Sequence, residues 1–170
     1  MDEYQSPKED NTQRWIITGC IIAVILFVCC VAASVGGIYW LGSLSTSGLA
    51  DITVNAPTSV DIGQPYSITV VVRNISDKEI SLNSIDIEKN ILNGLIVATV
   101  TPSYTDTYEY DASGKTYQTY SFEQGIAPGE SLTVTFEGEA ALAGDFGGDV
   151  DVCINSFFNC FTGYVRTLVK

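Results

Sequence analysis

The sequence predicts a mainly-β protein in which a single N-terminal transmembrane α-helix is followed by an antiparallel β-sandwich of seven or eight strands. Three observations predict it. Residues 15–41 form an apolar run without one Asp, Glu, Lys or Arg. From Asp51 onward, apolar residues recur at every second position, as strands with one buried face require. Turn-forming clusters stand between the alternating stretches: Asn74-Ile75-Ser76-Asp77, Thr101-Pro102-Ser103, Asp111-Ala112-Ser113-Gly114 and Ala127-Pro128-Gly129-Glu130. No stretch after residue 50 carries a helical period. Many short strands with frequent turns are the pattern of a sandwich.

The apolar run divides the chain into four parts. About 20 apolar residues suffice for a helix to cross a hydrocarbon core of about 30 Å, and only a helix or a closed barrel satisfies its own backbone there. Residues 1–14 are polar, contain Pro7 and read as a disordered cytoplasmic tail. Residues 15–41 are the transmembrane helix, 42–50 a flexible Gly/Ser-rich linker, and 51–170 the extracytoplasmic body. Lys8 and Arg14 precede the run, and no Lys or Arg follows it until Arg73. That asymmetry places the N-terminus inside and the body outside a cell membrane crossed once. Trp15 at one end, with Tyr39 and Trp40 at the other, stand where membrane-interface aromatic anchors belong. A rival reading is a secretory signal cleaved near Val31-Ala32-Ala33, but the apolar run continues to Trp40. Small residues four apart (Gly19/Ala23, Ala32/Gly36, Ala33/Gly37) also permit self-association through the helix.

Composition narrows the chemistry. The net charge is −12, with the tail carrying −2 and the segment from Asp51 carrying −10. An acidic body lacks the basic footprint that nucleic acid demands. The chain has no histidine, which removes His-based triads, most zinc sites and the usual general base near neutral pH. No enzyme activity, catalytic residue, cofactor or metal is expected.

The strands follow from the alternation. Tyr66, Ile68, Val70 and Val72 alternate with Ser67, Thr69, Val71 and Arg73; Leu132, Val134 and Phe136 alternate with Thr133, Thr135 and Glu137. Ile80, Leu82, Ile85 and Ile87 predict a strand with an irregularity near Asn83-Ser84, and Leu95–Val100 a strand buried on both sides or closely flanked. Near the end, Cys153 pairs with Cys160 across a hairpin whose tip is Ile154–Asn159. Val152 then faces Phe161, Asp151 faces Thr162, Val150 faces Gly163 and Asp149 faces Tyr164. Apolar meets apolar on one face and polar meets polar on the other, an agreement that a one-residue slip destroys. A disulfide there belongs to an oxidising compartment, in accord with the orientation drawn from Lys8 and Arg14.

Three groups are candidate contact sites. Phe157 and Phe158, adjacent at the hairpin tip, form a natural patch for a protein partner. Folding back over the end of the core is the alternative, and the tip would dip into lipid headgroups if its pole faced the membrane. Tyr104, Tyr108, Tyr110, Tyr117 and Tyr120 surround the Asp111–Gly114 turn and suit a glycan- or peptide-binding surface, though cross-strand packing in a hairpin explains the same residues. Asp145, Asp149 and Asp151, with Asp106, Glu109 and Asp111, raise the question of calcium, but no D-x-D-x-D-G loop is present. Asn74-Ile75-Ser76 fits the glycosylation acceptor pattern.

D-I-T-V-N-A-P-T-S-V-D-I-G-Q-P-Y-S-I-T-V-V-V-R-N-I-S-D, followed by G-I-A-P-G-E-S-L-T-V-T-F, resembles bacterial and archaeal immunoglobulin-like cell-surface domains of the cell-adhesion-related type over residues 50–140. The resemblance implies an immunoglobulin-like sandwich acting in binding, adhesion or scaffolding with an unidentified protein or glycan partner. A structural subunit of a surface filament or envelope assembly is the competing reading.

Overall fold

The computed structural model describes residues 48–170. The expected helix with Trp15, Tyr39 and Trp40, the tail and most of the linker lie outside them. Among the described residues no helix is long and apolar enough to cross a membrane.

Among the described residues ten strands make two sheets. The first sheet has the order β1 (Ala50–Asn55), β3 (Pro65–Asn74), β8 (Ser131–Ala140), β5 (Leu95–Thr101). The second runs β2 (Ser59–Val60), β10 (Cys160–Val169), β9 (Gly144–Ile154), β4 (Ile80–Glu88), β7 (Lys115–Ile126), β6 (Asp106–Ala112). All pairings are antiparallel except that of β2 with β10. A single helical turn, α1 (Lys89–Leu92), follows β4. Without β2 and the β6–β7 hairpin, the orders β1-β3-β8-β5 and β10-β9-β4 are the A-B-E-D and G-F-C sheets of an immunoglobulin constant-type sandwich. The strands beyond the expected seven or eight are that two-residue bridge and that hairpin.

The core lies between the sheets and is built from the alternating positions. Ile68, Val70, Val72, Val134 and Phe136 of one sheet meet Ile85, Ile87, Phe122, Val150, Val152 and Ile154 of the other, all fully buried. The irregularity in β4 is real: its register shifts between Leu82 and Ser84, leaving Asn83 as an extra residue opposite β9. The extra residue resets the alternation, so Leu82 and Ile85, three apart, both face inward. Glu123 sits at the matching irregularity of β7 with φ 53°.

Two local features follow from residue type. Ser113 (φ 54°) and Gly114 (φ 77°) form the two-residue loop between Ala112 and Lys115; two left-handed residues suit the twist of a tight hairpin, and glycine takes that conformation freely. Gly138 in β8 faces an irregularity in β5, where a Cβ would fall 1.9 Å from the Ile96 carbonyl oxygen. Only glycine lets the two backbones approach so closely. β5 itself differs from expectation: it is the edge strand of its sheet, and Ile96 is largely exposed. A continuous apolar run fits an edge as well as a centre, because the run does not say how many neighbours a strand has.

Candidate functional site

The outer face of the six-stranded sheet collects most of the polar and aromatic candidates. Along β4 and β9 the core takes Ile85, Ile87, Val150 and Val152, so Ser84, Asp86, Glu88, Asp149, Asp151 and Cys153 point the other way. β7 and β6 add Tyr117, Thr119, Tyr110 and Tyr108 to that face. Tyr110 stacks on Tyr117 with ring centroids 5.4 Å apart, and Tyr108 leans on Tyr110 at 6.5 Å. The Tyr110 hydroxyl donates to Asp86 Oδ2 at 3.2 Å. Burial, and then the neighbouring Asp86 carboxylate, push the Tyr110 hydroxyl well above its ordinary value.

The five candidate tyrosines therefore divide. Tyr108, Tyr110 and Tyr117 are on the outer face, whereas Tyr120 points into the core, its ring 5.0 Å from Phe136 and 5.3 Å from Tyr104. Tyr104, although exposed, belongs with Tyr120 rather than with the outer group. Tyr164 completes the outer face from β10 and is largely exposed. It was not among the candidates, although the hairpin register already set it opposite Asp149.

Asp86 lies at the centre of this face, only 7 % exposed. β4 runs between β9 and β7, so its neighbours cover it on both sides. Burial raises the Asp86 pKa; the hydroxyls of Thr119, Tyr110 and Ser84 oppose the shift, and the charge of Asp151 adds to it. Of those three hydroxyls only that of Tyr110 completes a hydrogen bond, and Asp86 Oδ1 is left without a partner. Asp151 stands directly across from Asp86. Its pKa is also raised, first by burial and then by Asp149, while a 2.5 Å hydrogen bond from Thr162 opposes the rise.

The sign of the linkage is fixed by these directions. A carboxyl whose folded pKa is raised binds its proton more tightly in the native state than in the unfolded chain. Ionisation therefore weakens the fold as pH climbs from about 4, the ordinary aspartate value, through the raised values of Asp86 and Asp151. Asp86→Asn removes one of two facing like charges and keeps an acceptor for Tyr110. It is expected to stabilise the body at pH 7 by about 1 kcal/mol and to flatten the stability gain on acidification, as read by thermal melts at several pH values.

Several other charged groups are held by hydrogen bonds. The Lys115 ammonium donates to Asp149 at 2.6 Å and to Glu88 at 3.0 Å, and these bonds raise its pKa. Glu88 also accepts the Asp149 backbone N–H at 3.0 Å. Arg166 pairs with Asp145, lowering that carboxyl, and Lys89 pairs with Glu109. Asp111 accepts from Thr116 at 2.6 Å, and Asp106 from the Thr107 N–H at 2.8 Å. Among the described residues no three acidic or cysteine side chains converge as a metal site.

At the end of the β9–β10 hairpin, Cys153 and Cys160 are joined by a disulfide, and all four cross-strand pairs expected beside it are present. The bridge sits on the outer face, yet Cys153 is wholly buried. The tip is fastened to β4: Asn155 N–H donates to Ser81 O at 2.8 Å, and Ser81 N–H donates to Asn155 Oδ1 at 2.7 Å. Phe157 and Phe158 do not fold back over the core. They are 55 % and 98 % exposed.

Asn74 is the reverse case. Its side chain is fully buried, donating to Lys78 O at 2.7 Å and Ile126 O at 2.8 Å while accepting from the Ser76 N–H and hydroxyl. With both amide hydrogens engaged inside the fold, it is not a glycan acceptor in the folded body. An open hollow of about 560 Å³ lies beside Pro57, Tyr66, Ser67 and Glu137.

No protein-family model matches the sequence, and no curated protein matches it. Solved structures resemble it at low identity. The CARDB domain of the PF1109 protein from Pyrococcus furiosus is 14 % identical, with 72 % of this chain and 90 % of that one covered and a TM-score of 0.40. A PKD domain of an M14-like peptidase from a Thermoplasmatales archaeon is 16 % identical over 69 % and 91 % of the two chains, with a TM-score of 0.36. The ASH/PapD-like domain of human CEP192 is 10 % identical over 72 % and 86 %, with a TM-score of 0.40. Such scores carry nothing about chemistry. What makes the body from Ala50 to Val169 an immunoglobulin-like sandwich is its own strand order.

Proposed function

We propose that this chain is a non-catalytic binding module held at the outer surface of a cell membrane by a single N-terminal helix. The observation that carries the reading is the joining, in one short chain, of an uncharged apolar run at 15–41 to a sandwich closed by the Cys153–Cys160 disulfide. The run suits a bilayer and the disulfide suits an oxidising exterior. Its partner is a protein or glycan that meets the outer face of the six-stranded sheet. There Tyr108 and Tyr164 offer exposed rings, and Thr162, Asp151 and Tyr110 offer hydrogen-bonding groups around them. Rigid aromatic rings beside polar groups supply contact area at little entropic cost. The small-residue spacings of the helix permit self-association within the membrane.

Protease added outside sealed cells tests the topology. The body is expected to be digested, and Cys153 and Cys160 to resist alkylation until reduced; a protected body with both thiols free would overturn the reading. Cross-linking on intact cells tests the surface. Tyr108→Ser with Tyr164→Ser is expected to lose the captured partner at unchanged melting temperature, and unchanged capture would exclude this face.

A further inference from the structure

The two poles of the sandwich differ in what they present, and hydrogen bonds tie one of them to the start of the body. Leu49 O accepts the Ile75 N–H at 3.0 Å. Next to Ile75, the Asn74 amide reaches Lys78 O and Ile126 O. Ile80, paired with Ile126, precedes Ser81, which bonds twice to Asn155 of the hairpin tip. The first residues of the body, the β3–β4 turn and the Phe157–Phe158 tip thus share one pole. The opposite pole carries the β8–β9 turn with Leu142 and the C-terminal Lys170.

We propose that this pole is a second, shallow contact with the bilayer, in which Phe158, Phe157 and Ile75 enter the interfacial zone. The inference rests on the reading of residues 15–41 as a membrane anchor. Phe158 is 98 % exposed, Phe157 55 % and Ile75 54 %, so three apolar side chains stand out at one pole. Length selects lipid as the occupant. Seven residues, Gly42–Gly48, separate the run from the body, and a chain of that length spans at most about 25 Å. The ten-residue strands β3 and β8 extend about 33 Å. A tether that is short beside the body and attached at one pole keeps that pole at the interface and the other away from it. Leu142 and Ile62 are as exposed as Phe157, but they stand at the far pole and serve as the internal comparison.

The contact is apolar in character. Asp51, Asp77, Glu79 and Glu130 are exposed around this pole against Arg73 and Lys78, so attraction to anionic lipid is not its source. Aromatic and aliphatic side chains partition into the headgroup boundary of a neutral membrane as well. Held there, the body would lie with the hairpin tip on lipid, and its outer sheet face would stand upright and accessible to a partner.

The test uses the full chain reconstituted into phosphatidylcholine vesicles with and without brominated acyl chains. The native tryptophans Trp15 and Trp40 are replaced by phenylalanine, and single probes are introduced as F158W or L142W; a third protein retains Trp40 alone to report the anchor. We expect Trp40 and the F158W probe to be blue-shifted and quenched by bromolipid, with the L142W probe red and unquenched. Adding Ile75→Ser and Phe157→Ser is expected to diminish quenching of the F158W probe. Quenching of Trp40 with a red, unquenched F158W probe would overturn the contact and leave the tip to a protein partner. An unquenched Trp40 would overturn the anchor and the contact together. Since Phe158 is almost wholly exposed, F158W leaves the core untouched; matched circular dichroism of the variants verifies this.

Discussion

Phe136→Ala is expected to lower the unfolding free energy of the body by about 3–5 kcal/mol, the largest loss of any single truncation here. Phe136 is fully buried in β8, between Ile68 of β3 and Val100 of β5, and its ring meets Tyr120 of the opposite sheet at 5.0 Å. The contact therefore spans the sandwich. Truncation removes the transfer energy of the ring and leaves a cavity that two hydrogen-bonded sheets cannot close, because their separation is set by every other pair in the core. Against a total stability of about 5–15 kcal/mol, that loss is a large fraction. Phe136→Leu, which fills most of the space, is expected to cost less than about 1.5 kcal/mol. Urea titration followed by tyrosine signals reads both variants, since Tyr120 and Tyr104 meet edge to face at this contact. Equal effects of the two substitutions would refute the cavity argument.

Asn74→Ala is expected to cost about 3 kcal/mol, more than most buried polar truncations. The loss is that of the groups left behind. Ile126 O, in the sheet opposite that of Asn74, would lose its side-chain donor, and Lys78 O would keep only the Ser76 hydroxyl. The Ile126 carbonyl deprived of its partner in the interior costs about 1–3 kcal/mol, and the Ser76 N–H loses its acceptor as well. Asn74→Asp is expected to be at least as damaging, because the carboxylate offers no donor and buries a charge. Ser76→Ala erases the same glycosylation pattern but removes only a surface hydroxyl, so a loss near 1 kcal/mol is expected. Mass spectrometry of the protein from a glycosylating host is expected to show Asn74 unmodified in the folded fraction.

Much of the architecture was legible in the residues because a strand writes its own burial with period two. The alternations of Tyr66–Arg73 and Leu132–Glu137 became β3 and β8, pairing Ile68 with Phe136 in the core. The three-residue step from Leu82 to Ile85 announced the shifted register of β4. The β9–β10 pairing was legible to the residue, since only one register matches apolar to apolar and Cys153 to Cys160. In each case the signal is local, or lies within one hairpin.

Tertiary structure decided whatever depends on which strands become neighbours. Asp86 and Asp149 follow the same alternation, yet Asp86 is buried beside Thr119 and the Tyr110 hydroxyl while Asp149 reaches Lys115. The five tyrosines look alike in sequence and separate onto two faces once β6 and β7 pair. Asn74 looks like a glycan acceptor until Ile126, 52 residues away, claims its amide. The pole on which Phe157 and Phe158 stand was likewise open until Asn155 met Ser81. Alternation states which face a side chain takes. How deep that face lies, and what stands beside it, are properties of contacts between distant segments, which no local period encodes.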